Sequence, residues 1–274
     1  MGPQTRSLQA AGALDEAFRD LPFRLTIRWA GRDAGGPRYD RRVGAAELVI
    51  YNLGCGTRTH PACVNVDWSI HLRLRKLHLS SVAGSRAEKI RALPRDIVVH
   101  DLRKGIPARD ATVDVVYHSH VLEHIDREDA PGFMAEVHRV LKPGGVQRVV
   151  VPDFEHLTRR YVEAFGGEGH EARIADIIEQ IVRREAAGTA SQHPFRRRIE
   201  NALLGDARKR GETHQWMYDR LSLTVLLETC GFTAISVVDH ATSRIPGWNS
   251  LGLDVEPDGQ PYKPHSLYIE AERG

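Results

Sequence analysis

The run Glu47-Leu48-Val49-Ile50-Tyr51-Asn52-Leu53-Gly54-Cys55-Gly56-Thr57, followed by Cys63-Val64-Asn65-Val66-Asp67, decides the architecture. Each half is a short β-favouring segment, and the first ends in a glycine turn. Three further runs follow: Asp96-Ile97-Val98-Val99-His100, Val113-Asp114-Val115-Val116-Tyr117 and Val146-Gln147-Arg148-Val149-Val150-Val151. Near-continuous apolar runs rich in Val and Ile are what strands buried on both faces require. Between the fourth and fifth runs, Glu128 to Leu141 sets Ala130, Phe133, Met134, Val137 and Leu141 on one helical face. Lys142-Pro143-Gly144-Gly145 then stops that helix and leads into the next strand. Strand–helix alternation of this kind predicts a parallel, doubly wound α/β sheet.

Behind Pro152 the pattern changes. Residues 155–215 are helical in parts and basic in parts, with Arg196-Arg197-Arg198 and Arg208-Lys209-Arg210. Sheet-like elements resume afterwards, so this segment is an insertion rather than a separate domain. Asp219 to Cys230 forms an amphipathic helix closed by Gly231, and Phe232 to Asp239 a strand. His265 to Glu270 alternates in period two and is expected to run antiparallel. The expected fold is α/β: a Rossmann-like sheet of seven strands, mostly parallel, with an antiparallel last strand and a helical insertion over the carboxyl face. Residues 1–46 read as an N-terminal extension, an edge strand or cap, because Phe23-Arg24-Leu25-Thr26-Ile27-Arg28-Trp29 alternates.

The composition sets limits on the function. The chain has 274 residues, 38 Lys plus Arg, 36 Asp plus Glu and 41% hydrophobic residues. A net charge of +2 does not demand a polyanionic partner. Three Cys form no framework of pairs, which fits a reducing, cytoplasmic compartment. The N-terminus has no apolar h-region, and no window reaches the 18 or more apolar residues of a membrane span. The arginine clusters could track phosphates. Glu200, Asp206 and Glu212 offset them, which favours solvated helix faces.

Chemistry collects where strands end. Glycines at Gly54 and Gly56 let a ligand approach the backbone at the carboxyl end of the first strand. Asp67 ends the second strand, where a carboxylate can accept from both hydroxyls of a ribose. Asp101 with Leu102 follows the third, where an acid can accept from an exocyclic amine such as adenine N6. Glycine, Asp and Asp on three consecutive strands describe an adenosine pocket.

These residues, with Val113 to Glu123 and Leu141 to Gly145, resemble the class I S-adenosylmethionine-dependent methyltransferases. The resemblance covers about residues 47–153 and 219–271, so 47–274 reads as one methyltransferase domain with a lid-like insertion at about 155–215. More narrowly the chain is similar to a bacterial subgroup of the methyltransferase-11 type. That subgroup carries segments like Asn52 to Gly56, His60-Pro61, Val64 to Asp67, Ser119 to His124, His214-X-Trp216-Met217-Tyr218-Asp219 and Lys263 to Leu267. The resemblance implies S-adenosylmethionine as cofactor and S-adenosylhomocysteine as product. It places Gly54 and Gly56 by the methionine moiety, Asp67 by the ribose and Asp101 with Leu102 by the adenine, with Asn52, Cys55 and Trp68 as further cofactor-binding candidates. His118 and Ser119 would flank the sulfonium. Only ten residues separate Gly56 from Asp67, where a dinucleotide fingerprint expects about twenty between turn and acid. The first crossover helix must therefore shrink to about a turn, which argues against a nicotinamide enzyme.

Methyl transfer from a sulfonium is an in-line displacement that needs alignment, a dry site and, for hydroxyl acceptors, a base. His120, just past the fourth strand, is the first candidate; the alternative is that it packs under the cofactor. His214 is the second. Both long connections start at the carboxyl face, so Asp153, Trp216, Tyr218, Arg244 and Trp248 are candidate acceptor contacts; the alternative for Trp216 and Tyr218 is that they pin the insertion to the core. Trp68 also reads as a packing residue. His120-Val121-Leu122-Glu123-His124 matches the H-x-x-E-H zinc signature, but it follows directly on a strand and has no evident third ligand. No metal ligands are assigned, and without adjacent carboxylates at the fourth strand Mg²⁺ is not indicated. The expected activity is O-methylation of a small molecule, with a sugar or glycan-precursor hydroxyl suggested by the resemblance. A nucleic-acid methyltransferase and a non-methylating cofactor binder are the alternatives. Against nucleic acid stand the small net charge and Tyr117-His118-Ser119-His120 in place of an Asn/Asp-Pro-Pro-Tyr segment. A homo-oligomer is compatible with residues 1–46 crossing to a partner.

Overall fold

The computed structural model describes residues 48–68, 72, 96–167, 169–181 and 213–274. The strands are β1 (Ile50–Leu53), β2 (Cys63–Asp67), β3 (Val98–Val99), β4 (Val113–Ser119), β5 (Leu141–Pro152), β6 (Phe232–Val238) and β7 (Ser266–Arg273). They form one seven-stranded sheet in the order β3-β2-β1-β4-β5-β7-β6. β1 to β5 pair in parallel, and β7 lies antiparallel between β5 and β6. The expected architecture is present.

Helix α1 (Ala130–Val140) buries Phe133, Met134 and Val137, as the apolar spacing predicts. Helices α2 (Phe154–Glu163) and α3 (His170–Ile181) follow β5, and α4 (Arg220–Thr229) precedes β6. Asp219 starts α4 with a capping box, its carboxylate accepting from Ser222 N at 2.7 Å while the Ser222 hydroxyl receives Asp219 N. On one face of the sheet, α1 and Leu223 and Leu227 of α4 cover Tyr51, Leu53, Val116, Val149 and Val151. On the other, Ile245, Trp248 and Leu253 of the β6–β7 connection cover Ile50, Val115, Tyr117, Val150 and Tyr268.

Three boundaries differ from expectation. Lys142 to Gly145 stops α1 but already belongs to β5. The residue after α1, Leu141, is extended and pairs with Val113, and the next pair is Val146 with Val115. Pro143 lies in that gap and before the β7 ladder begins at Val146, so its missing N–H interrupts neither ladder. β3 shortens to two residues, and the link from Gly54 to Ala62 is made of turns with no helix at all. Phe23 to Trp29 and both arginine clusters lie outside the described residues.

A buried ionic network ties the connection to the sheet. Arg148 of β5 is fully buried; its Nε reaches Asp254 at 2.6 Å and its Nη1 reaches Glu270 at 2.7 Å. Its Nη1 and Nη2 also donate to the carbonyls of Thr242 and Asp239 respectively. Tyr117 OH and Trp248 Nε1 complete the shell of Asp254, at 2.6 and 2.8 Å. Burying ions without such pairing costs several kcal/mol each.

Candidate active site

Parallel registers bring four strand ends to one edge: Leu53 opposite Val66 and His118, Asp67 opposite Val99, and Ser119 opposite Val150. Ligands of doubly wound sheets bind at this edge. Gly54 and Gly56 turn the chain there with φ of +63° and +52°. A Cβ on Gly54 would lie 2.4 Å from Val121 Cγ2, whereas one on Gly56 would meet nothing within 4 Å. Gly54 thus allows β4 and its following loop to close on the turn, and Gly56 leaves its own surface open. Asp67 Oδ2 accepts from Gly56 N at 2.8 Å, fixing the turn beside the end of β2. Trp68 follows with its ring partly exposed (37%). An open glycine turn, an acid on the neighbouring strand and a partly exposed aromatic therefore lie together at this edge.

Several site residues take other duties. Asn52 is buried, and its amide nitrogen donates to Arg58 O at 2.8 Å and Asn65 Oδ1 at 3.0 Å, so its side chain braces the turn from behind rather than facing a cofactor. The Cys55 side chain packs with Leu72 and Ile97, leaving only its backbone for the pocket; burial pushes its thiol well above the ordinary range. Asp101 accepts from Arg103 Nε and Nη2 at 2.8 and 2.7 Å and caps the 3₁₀ turn Leu102–Lys104. Its partial burial raises the carboxyl pKa, but Arg103 outweighs that and holds it below the ordinary value. Leu102 packs at the margin of the helix-covered core.

His118 is the clearest correction. Strand alternation turns it onto the α1 face, where it is fully buried, edge-on to Phe133, with Nε2 3.0 Å from Gln147 Nε2. It cannot flank a sulfonium; burial lowers its pKa to about 4 and keeps it neutral. Ser119, one residue on, ends β4 and points to the opposite side. Arg244 is not an acceptor contact either: it pairs with Glu272 at 2.7 Å and Glu270 at 3.4 Å and donates to Ala234 O, along the outer strands. Trp248 is buried edge-on to Tyr117 at 4.9 Å and committed to Asp254. The connection does reach the glycine turn, but farther along: Arg58 stacks 4.2 Å over Tyr262 and donates to Val255 O and Glu256. Asp153 caps α2, accepting from His156 N at 3.1 Å.

The fold does assemble His120, Glu123, His124 and His214. His120 adopts φ +54°, a conformation that non-glycine residues rarely hold outside constrained sites. Its Nε2 lies 2.9 Å from Ser266 Oγ and its Nδ1 3.2 Å from Glu123 Oε1. Glu123 is fully buried in a 3₁₀ turn, Leu122–His124, and neither carboxylate oxygen completes an aligned hydrogen bond. Its burial favours the neutral acid, yet His120 and His124 overcome this and hold its pKa below the ordinary value. The segment 213–218 docks against this turn: Gln215 N and Trp216 N both donate to Glu123 O, and His124 Nδ1 meets Thr213 O at 3.1 Å. His214 thereby stands edge-on to His124 at 4.8 Å, with Nε2 4.0 Å from Glu123 Oε1. Trp216 stays partly exposed under the Arg127 guanidinium at 4.4 Å. Tyr218 is buried, forms a bridge with Asp153 and pins the segment to the end of β5. The H-x-x-E-H run is therefore no helix carrying two ligands: His120 is held by Ser266, and the partner across from Glu123 and His124 is His214.

Residues 51–149 match the family model described as a methyltransferase domain. The match covers 99 of the 274 residues and, with the strand-end site, likens this segment to a methyltransferase domain. Similar solved structures include the CurJ carbon methyltransferase, at 14% identity and TM-score 0.39, covering 83% of this chain and 48% of that one. Another is a possible histamine N-methyltransferase from Thermotoga maritima, at 16% identity and TM-score 0.41, covering 84% of each chain. A third is an S-adenosylmethionine-dependent methyltransferase from Archaeoglobus fulgidus, at 12% identity and TM-score 0.39, covering 82% of this chain and 86% of that one. No curated protein matches the chain. Among the described residues, no helix is long and apolar enough to cross a membrane.

Proposed function

We propose that the chain methylates a hydroxyl of a small molecule, with a sugar or glycan precursor as the acceptor class. The observation that carries this reading is the Ser266–His120–Glu123 chain of polar contacts. Glu123 on the Nδ1 side favours the tautomer with a proton there, leaving Nε2 as the lone-pair atom, 2.9 Å from a hydroxyl oxygen. An acceptor hydroxyl replacing Ser266 Oγ would give its proton to Nε2, and the imidazolium formed would be stabilised by Glu123. S-adenosylmethionine supplies an electrophilic methyl group. Asp67 and the glycine turn hold it by backbone and ribose contacts, and His120 orients the attacking oxygen. Trp216 is partly exposed, and an aromatic ring suits the apolar face of a sugar. The sugar assignment rests on the sequence resemblance; the small net charge supports a small molecule over nucleic acid. Cytoplasmic action fits the unpaired cysteines.

The test is methyl transfer from radiolabelled S-adenosylmethionine to a panel of nucleotide sugars, monosaccharides, phenols and amines. Label entering an alkali-stable ether of a sugar supports the reading. Label entering only amines or carbon, with hydroxyl acceptors inert, overturns it.

A further inference from the structure

We infer that Glu123, His124 and His214 form a binding site for a divalent first-row transition-metal ion. Each offers one ligand atom, and these atoms all lie within 4.8 Å of one another. The second observation is Glu123 itself, fully buried, with two carboxylate oxygens that complete no aligned hydrogen bond. A carboxylate removed from water with only the 3.2 Å contact to His120 Nδ1 is costly, and buried charges are found paired or on metals. The Tyr218 hydroxyl beside it is also buried without a hydrogen-bond partner.

The surrounding contacts suit ligation. His124 Nδ1 sits on the Thr213 carbonyl at 3.1 Å, which assigns the proton to Nδ1 and the lone pair to Nε2. The donors from Gln215 N and Trp216 N to Glu123 O fix the His214 segment against the turn. Two imidazoles and one carboxylate favour zinc, iron, cobalt or nickel over magnesium or calcium. Ligand atoms at about 2.0–2.1 Å from a tetrahedral ion lie roughly 3.4 Å apart. The 4.0 Å between His214 Nε2 and Glu123 Oε1 is within about 0.6 Å of that separation. Three protein ligands leave a position for water or an acceptor oxygen, whose pKa the ion would lower. That last role rests on the methyltransferase reading; ion binding does not.

The test uses the full chain after chelation, titrated with Co²⁺ and then Zn²⁺ while visible absorption is followed. S-adenosylmethionine binding is measured calorimetrically on the same samples. One Co²⁺ per chain, displaced by Zn²⁺, is expected. Affinity should fall at least tenfold in Glu123→Gln, which keeps the buried volume, and in His214→Ala, with cofactor affinity within about threefold of native. Absence of stoichiometric binding in native chain of folded circular-dichroism spectrum overturns the site, as does affinity unchanged in both variants. Co²⁺ binding without any cofactor binding would leave the metal site standing and remove the methyltransferase reading instead.

Discussion

His120 Nδ1 lies 3.2 Å from Glu123 Oε1, and the same carboxylate oxygen is 4.0 Å from His214 Nε2. One buried acid therefore links the loop after β4 to a segment that arrives far later in the chain. If His120 is the base, His120→Ala should lower kcat by about 10²–10⁴, with cofactor affinity within a few-fold of native. Single-turnover rates beside calorimetry check this. Full activity in the variant would relegate His120 to a packing role.

The two glycines should respond differently. Gly54→Ala drives a methyl into Val121 and keeps a left-handed backbone, so it should abolish detectable cofactor binding and lower Tm. Gly56→Ala meets open space and carries only conformational strain of about 1–2 kcal/mol. Thermal unfolding and cofactor titration of the pair would show that order, with Gly54→Ala the worse of the two.

Arg148→Met should destabilise the protein by about 3–5 kcal/mol, because it leaves Asp254 and Glu270 buried without their cation. Urea unfolding measures it. The double replacement Arg148→Met with Asp254→Asn should recover part of the loss, since one of the orphaned charges is gone.

His118 makes stability pH-dependent. Its pKa is about 4 in the fold against an ordinary 6.5, so below about pH 6.5 the unfolded chain binds a proton that the native state refuses. Stability from this group is present above pH 6.5 and is lost as the pH falls toward 4, by about 3 kcal/mol at most. In His118→Gln that component is missing. The native-minus-variant stability difference should therefore decline from pH 7 to pH 5.

The sheet was readable because its central strands are continuous Val and Ile runs that only two-sided burial explains, and because His265 to Glu270 alternates. The glycine turn and Asp67 were readable because each sits at a strand end. His118 misled because position at the end of a strand does not set direction; counting by two from Val116 would have turned it onto the helix-covered face. Arg148 looked like an ordinary strand residue, for nothing local announces that Asp254 and Glu270 converge on it. Likewise His214 joins Glu123 and His124 only through tertiary docking of 213–218, so the third partner of the H-x-x-E-H run was invisible in its spacing. Trp248 and Arg244 were placed by loop topology alone, and the ionic network claimed them.

The central claim is a cofactor pocket built from the glycine turn and Asp67. Calorimetric titration with S-adenosylmethionine and S-adenosylhomocysteine, with NAD as control, tests it most directly. The account predicts one site per chain with micromolar affinity for the first two, no NAD binding, and severe weakening in Asp67→Ala. Folded native protein that binds neither sulfur compound, or an Asp67→Ala variant of unchanged affinity, would contradict it.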